Sequence, residues 1–327
     1  MSRPSSGHLT KLVVASRGSR LALRQAEIVS AMVRRAHPDI EIEVRPVKTR
    51  GDRDQRPFAE TGGKGLFVTE VEREVVAGRA DVAVHSAKDL TLALSPECAI
   101  VCVPARAPAH DVVVGGMGDT GSERLARLPE GATVGTSSMR RRALLAEART
   151  GLTPVELRGN LDTRLQKVAG GDVDVAILAA AGLDRLGATE EADPAPLDAE
   201  WWVPAPAQGA LAVEARSDRD ELAELFAPLS DPDAFCEVRL ERAFGAALEG
   251  GCSVPLGCLA RAGAGSVVAT GYLGSPFGDS AVRDRISGPS DDAEAMGREL
   301  AHAIRSCGGE EILAAIASTE ATEPSAP

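Results

Sequence analysis

At 327 residues, with 36 Lys plus Arg against 48 Asp plus Glu, the chain carries a formal charge of −12. That length supports two or three domains with cores of their own, and 44% hydrophobic with 26% charged residues describes a globular chain. The acidic balance and the 3% aromatic content exclude a general nucleic-acid coat, an anionic-membrane binder and an array of base-stacking platforms.

Strand and helix signals alternate along the chain. Leu12–Ser16 reads as a short strand and Arg20–Ala36 as a helix with Ala22, Ala26, Val29 and Val33 on one face. Ile40–Val47 alternates as a strand, Leu66–Ala77 is helical, and Asp81–His85 has the run of a buried strand. Ala132–Gly135 predicts a strand feeding a helix at Met139–Thr150; Val155–Leu157 a strand before a helix at Leu161–Ala169; Val173–Leu178 a strand before a helix at Ala179–Leu186. This rhythm predicts parallel sheets with helices on their faces. Pro104–His110 and the acidic, proline-rich Glu190–Pro206 read as boundaries. Beyond Asp231-Pro232 come a helix (Phe235–Leu248), a glycine loop, strands and a last helix (Asp292–Cys307), then a disordered tail.

The apolar run Leu12–Ala15 is too short for the core of a signal peptide, and the longest run, Val175–Ala181, is far from a membrane span. A cytoplasmic protein is expected, with no membrane or nucleic-acid partner. The six cysteines, at 98, 102, 236, 252, 258 and 307, form no C-x-x-C pair and have no histidine near two of them, so reduced thiols and no metal are expected.

Charge is uneven. Thr136 to Lys167 holds seven Lys/Arg against three Asp/Glu, whereas Glu190 to Asp233 holds two Arg against twelve Asp/Glu. A basic segment within an acidic chain reads either as an anion pocket or as a solvated helix face. Several short stretches favour the pocket. In ASRGSRLA (15–22) a strand ends beside Ser19, which is placed to cap the next helix; Arg17, Ser19 and the helix N–H groups make an anion site, and plain capping fits as well. VGTSSMRRRA (134–143) repeats the geometry with Arg140 to Arg142 in the first helical turn, where cations oppose the helix dipole unless an anion joins them. LRGNLDTR (157–164) sets Arg158 after a strand and Arg164 on a helix, and guanidinium forks grip carboxylates or phosphates.

DVAVHSAKDLT (81–91) runs a buried strand into Lys88-Asp89, at the strand end where α/β proteins place ligands. Asp89 is either an acid/base group or half of a surface ion pair, and His85 reads as a core histidine bonded to backbone. TGGKGLF (61–67) is glycine-rich but is not a nucleotide P-loop, and Gly51–Thr61 could act as a lid. In LEGGCSVPLGC (248–258) a helix ends at Gly-Gly and Cys252 follows, as a nucleophile, an attachment point or a half-buried small residue.

Taken in order, these stretches together with AILAAAGLDRLG and AQGALAVE resemble the porphobilinogen deaminase (hydroxymethylbilane synthase) family from about Leu12 to about Leu313. The resemblance implies an α/β fold: two domains like the halves of periplasmic binding proteins, with mixed, mostly parallel sheets, and a smaller α+β C-terminal domain. Mapped here, domain 1 is 1–104 with 208–230, domain 2 is 105–207, domain 3 is 231–318 and the tail is 319–327. It also implies a monomer that joins four porphobilinogen units with loss of ammonia, giving hydroxymethylbilane in tetrapyrrole (haem-type) biosynthesis, primed by a dipyrromethane cofactor bound through a thioether to Cys252.

Each porphobilinogen carries an acetate and a propionate, so the cleft must neutralise many carboxylates. The resemblance implies Asp89 as the catalytic carboxylate. Around the cofactor it implies Arg17, Ser19, Ser86, Lys88, Thr136, Ser138, Arg140, Arg141, Arg158, Arg164 and Gln208. Around the substrate it implies Arg17, Ser19, Lys64, Phe67, Arg158 and Arg185. Four residues depart from the family pattern: Glu60 stands for a basic residue, Thr91 for a proline, Ala207 for a glycine and Arg20 for a proline. A solute-binding module and a phosphate-handling enzyme are the rival readings; the absent export signal and the Cys252 loop count against the first, and the absent Walker lysine motif and Mg²⁺ carboxylates against the second.

Overall fold

The computed structural model describes residues 9–47, 69–250 and 254–322. In chain order it opens with β1 (Lys11–Arg17), α1 (Arg20–Ala36), β2 (Glu41–Val47), α2 (Thr69–Val76), β3 (Val82–Ser86) and β4 (Cys98–Cys102). There follow β5 (Asp111–Val114), α3 (Gly121–Arg127), β6 (Thr133–Gly135), α4 (Met139–Ala148), β7 (Thr153–Val155), α5 (Leu161–Ala169), β8 (Val175–Ala179), α6 (Ala180–Leu186), α7 (Thr189–Ala192) and β9 (Ala195–Pro196). The chain closes with β10 (Leu211–Arg216), α8 (Asp220–Phe226), α9 (Pro232–Ala247), β11 (Leu256–Gly263), β12 (Ser266–Gly274), β13 (Ala281–Pro289), α10 (Ala293–Ile304) and α11 (Glu310–Thr322). These residues fall into two compact units, 1–106 with 210–235 and 107–209 with 236–327.

The first unit is built on a five-stranded sheet in the order β2-β1-β3-β10-β4. β1 pairs in parallel with β2 and β3, β10 runs antiparallel to β3, and β4 runs antiparallel to β10, so four of the five strands share a direction. Strand alternation divides the core. Leu12 and Val14 face α1, whose Ala26, Val29 and Val33 are buried as its period predicts. Ala15 and Ala83 lie in a second core with Val71 and Val75 of α2. Each buried valine contributes about 1.5–3 kcal/mol.

The second unit repeats the strand pattern in the order β7-β6-β8-β5-β9, with β5 as the antiparallel strand. Its residues beyond Cys236 add an antiparallel sheet, β11-β12-β13, covered by α9, α10 and α11 around Phe244, Leu300 and Ile304. This module shares a core with the five-stranded sheet, because Leu259 and Tyr272 pack in one cluster with Val113, Val134, Leu144 and Trp202. Arg283 seals the seam: it pairs with Glu147 at 2.6 Å and lies over the rings of Tyr272 and Trp201.

The mixed α/β architecture agrees with the sequence reading, and most expected elements appear within two residues. β4, α3, β5, α7, β9, β10 and α8 were not anticipated, nor was α11, which follows the helix expected to be the last. β7 sits two residues earlier than expected, and α11 carries helix through 319–322, where a disordered tail was expected; 323–327 lie outside the described residues. No described helix is long and apolar enough to cross a membrane.

Candidate active site

In the first unit, Arg17, Ser19, Leu21, Ala22, Gln25, Val84, His85, Ser86 and Asp89 line one pocket at the carboxyl ends of β1 and β3. Ser19 caps α1, its Oγ accepting from the Ala22 N–H at 3.3 Å, which fixes the helix start beside Arg17. Gln25, a turn further on and 2% exposed, donates through Nε2 to Ser86 Oγ at 2.7 Å and ties helix to strand. Beyond Ser86 the chain makes a 3-10 turn, Ala87–Asp89, closed by the Leu90 N–H on the Ala87 carbonyl. The turn presents Asp89 exposed and Lys88 half-buried. Thr91 donates its hydroxyl to Ala93 O at 2.7 Å, so the departure from proline leaves the following turn hydrogen-bonded. Here the structure brings Arg17, Ser19, Ser86 and Asp89 to one pocket.

In the second unit two strand-to-helix turns hold the basic residues. After β6 the Thr136 N–H bonds to Val155 O, Thr136 Oγ1 accepts from the Ser138 N–H at 3.2 Å, and Ser138 caps α4 on the Arg141 N–H. Arg140 and Arg141 do not project into solvent; they are 4% and 7% exposed and both reach a buried carboxylate that the sequence reading passed over, Asp111 at the head of β5. Arg140 Nη2 donates to Asp111 Oδ2 at 2.8 Å and Arg141 Nη2 to Oδ1 at 2.7 Å. Their Nη1 groups bond to Val203 O and Ile177 O. Asp111 also accepts from Gln208 Nε2 at 2.8 Å and Trp202 Nε1 at 3.1 Å. Burial alone would raise the Asp111 carboxyl; the two guanidiniums and these hydrogen bonds overcome it and hold the group far below the usual carboxylate range. Two guanidiniums against one carboxylate leave the cluster one positive charge in excess. The Nε–H of both arginines is buried with no hydrogen-bond partner among the described residues.

The second turn follows β7. Gly159 has φ +106°, and a Cβ there would lie 2.8 Å from Thr163 Cβ, so the LRGN corner needs glycine. Asn160 then caps α5 on the Thr163 N–H. Arg158 Nε pairs with Glu156 at 2.8 Å, and Arg164 Nε donates to Gly159 O at 3.0 Å. Arg185, in the last turn of α6, donates to Gly209 O at 2.6 Å, and burial pushes its guanidinium down to about 10. Gln208 is 1% exposed and also bonds Ala109 O. Its neighbour Ala207 has φ +60°, a left-handed conformation that suits the family's glycine, and its N–H is held by Glu241.

Lys64, Phe67, Cys252 and the 51–61 segment with Glu60 lie outside the described residues. The sequence reading missed Asp111, Gln25 and Trp202. An acid directly after PARAPAH, 29 and 30 residues before a pair of arginines, was the one available signal for the first of these. His85, expected on backbone, instead bonds through Nε2 to the fully buried Glu214 at 3.0 Å.

The family model described as porphobilinogen deaminase, dipyromethane cofactor binding domain, matches residues 12–224, and the porphobilinogen deaminase C-terminal domain matches residues 235–306. A porphobilinogen deaminase of Roseiflexus castenholzii is 43% identical over 304 residues, 93% of this chain and 98% of the relative. One from Chromobacterium violaceum is 40% identical over 311 residues, 94% and 98% of the two chains. Among solved structures, the methionine binding protein MetQ is similar over 71% of this chain and 93% of its own, at 13% identity and a TM-score of 0.43. Two matched domain models and relatives of 40–43% identity across nearly the full length place the chain in the porphobilinogen deaminase family.

Proposed function

We propose that the chain condenses four porphobilinogen units head to tail with release of ammonia, on a dipyrromethane carried by Cys252, and releases hydroxymethylbilane. Family membership across both matched domains is the observation that carries this reading. We further read the molecule as three working parts, 1–104 with 208–230, 105–207 and 231–318, the last presenting Cys252.

The chemistry of the donors suits the cofactor. A dipyrromethane built from porphobilinogen brings carboxylates, and the Asp111 cluster offers an excess positive charge and two buried Nε–H donors. When bound, this group supplies a covalent primer with a nucleophilic pyrrole α-carbon. Thr136, Ser138, Arg140, Arg141 and Gln208 hold its carboxylates, with Arg158, Arg164, Lys88, Arg17, Ser19 and Ser86. Arg17, Ser19, Arg158 and Arg185, with Lys64 and Phe67, hold the incoming porphobilinogen.

Asp89 is the carboxylate at the reacting ring. As the aminomethyl nitrogen leaves as ammonia, positive charge spreads onto the pyrrole, and an anionic Asp89 beside the ring nitrogen stabilises it. After the new carbon–carbon bond forms, the α-carbon proton leaves to Asp89 or to water. Gln25 on Ser86 and the cap at Ser19 hold the pocket wall in place during this step. The chain is a small-molecule transferase, read here as a cytoplasmic monomer.

The test is turnover with porphobilinogen. Ammonia and a linear tetrapyrrole should appear in a ratio of four to one. Consumption of porphobilinogen without a tetrapyrrole, or none at all, overturns the assignment.

A further inference from the structure

A second cluster of chemically capable side chains lies on the other face of the first unit's sheet. Ser86 and Gln25 meet on the α1 side. Cys98 and Ala83 pack with Val71 and Val75 of α2 on the opposite side. There Glu72 of α2, Cys98 of β4 and Glu214 of β10 bring one ligand atom each within 4.8 Å of one another. The three come from positions far apart in sequence, so no spacing motif announces them. They take no part in the chemistry proposed above.

Hydrogen bonding in this cluster is incomplete. Glu214 is 0% exposed; His85 Nε2 occupies its Oε2 at 3.0 Å, and its Oε1 has no hydrogen-bond partner among the described residues. A buried acceptor left in that state is costly, more so when it is charged. Glu72 takes one backbone N–H, from Ser95 at 2.8 Å. Two carboxyls and one thiol face a single imidazole in a largely dry setting. A positive ion would satisfy the stranded oxygen.

We infer that Glu72, Cys98 and Glu214 form a binding site for one divalent cation of the zinc class, with His85 steadying Glu214 from behind. One sulfur and two carboxylate oxygens are a donor set that zinc accepts. The thiol disfavours magnesium and calcium, which take oxygen ligands. A histidine on the remaining oxygen of a ligating carboxylate is an outer-shell contact of the kind that orients metal ligands. Such an ion would fasten α2 and β4 behind β3, the strand that leads into Asp89. The inference stands apart from the porphobilinogen reading, since its test reads metal rather than turnover.

Chelator-treated holoenzyme should be titrated with Co²⁺ alone as the spectroscopic stand-in. One equivalent should bind with a thiolate-to-cobalt charge-transfer band, and Zn²⁺ should bleach it. Cys98→Ala should lose the band while Cys307→Ala, which removes an exposed thiol, keeps it. Glu72→Gln should weaken binding by about tenfold or more. The site is refuted if wild type shows no band at one equivalent, as it would if the two carboxyls merely share a proton, or if the band survives in Cys98→Ala. Should Cys98→Ala fail to fold by circular dichroism, Glu72→Gln decides instead: an unchanged Co²⁺ affinity overturns the inference.

Discussion

Replacing Asp111 with Asn keeps the volume of the side chain and removes one charge from the centre of the second unit. In the wild type that carboxylate accepts from Arg140, Arg141, Gln208 and Trp202 while fully buried. The amide leaves two guanidiniums side by side without a counter-charge and turns an Nδ2–H toward groups that are already donors. Breaking a buried ion pair by removing one partner costs about 3–5 kcal/mol. At a urea slope near the top of the usual range of about 1–3 kcal/mol per M, the midpoint of Asp111→Asn should fall by about 1–1.7 M. Both tryptophans, Trp201 and Trp202, lie in this unit, so intrinsic fluorescence reads its unfolding directly.

The pH dependence has a definite sign. The folded-state value of Asp111 is depressed, so its contribution is fully present above the unfolded value of about 3.9 and is lost as pH falls below that toward the folded one. The gap between wild type and Asp111→Asn should therefore be constant from pH 5 to 8 and narrow below about pH 4. A midpoint lowered by less than about 0.3 M, or a gap that widens in acid, refutes the reasoning.

Asp89→Glu moves the carboxylate outward by one methylene and should leave the dipyrromethane loaded while lowering kcat by about 10²–10⁴-fold; turnover within threefold of wild type would remove Asp89 from the reaction. Arg158→Leu and Arg164→Leu, whose side chains are half-buried, should raise KM or stall elongation, seen as accumulated short adducts in native gels. Full rate and full chain length in both would remove them from the clamp.

Much of the fold was legible because its signals are local. Ser19 before an apolar stripe at helical spacing fixes α1, and Asn160 after a glycine corner fixes α5, both at the bounds expected. β4, β5 and β10 escaped because their pairings are distant. β10 sits between β3 and β4, more than a hundred residues upstream, and a charged Glu214 interrupts its apolar run. The same distance hid the partners of the ionisable residues. His85 and Glu214 are 129 residues apart, yet they meet in neighbouring strands. At VGTSSMRRRA three consecutive arginines in a first helical turn called for an anion, and for two of them the chain supplies one itself, at Asp111. Composition shows that such a cation cluster needs a counter-charge; only the folded topology shows which carboxylate provides it.

The tether is most directly tested by the intact mass of the purified protein. Wild type should exceed its sequence mass by one thioether-linked dipyrrole and climb further in single-pyrrole steps on adding porphobilinogen, and Cys252→Ser should show neither. A wild-type protein at its bare sequence mass, or an adduct that persists in Cys252→Ser, would contradict the account.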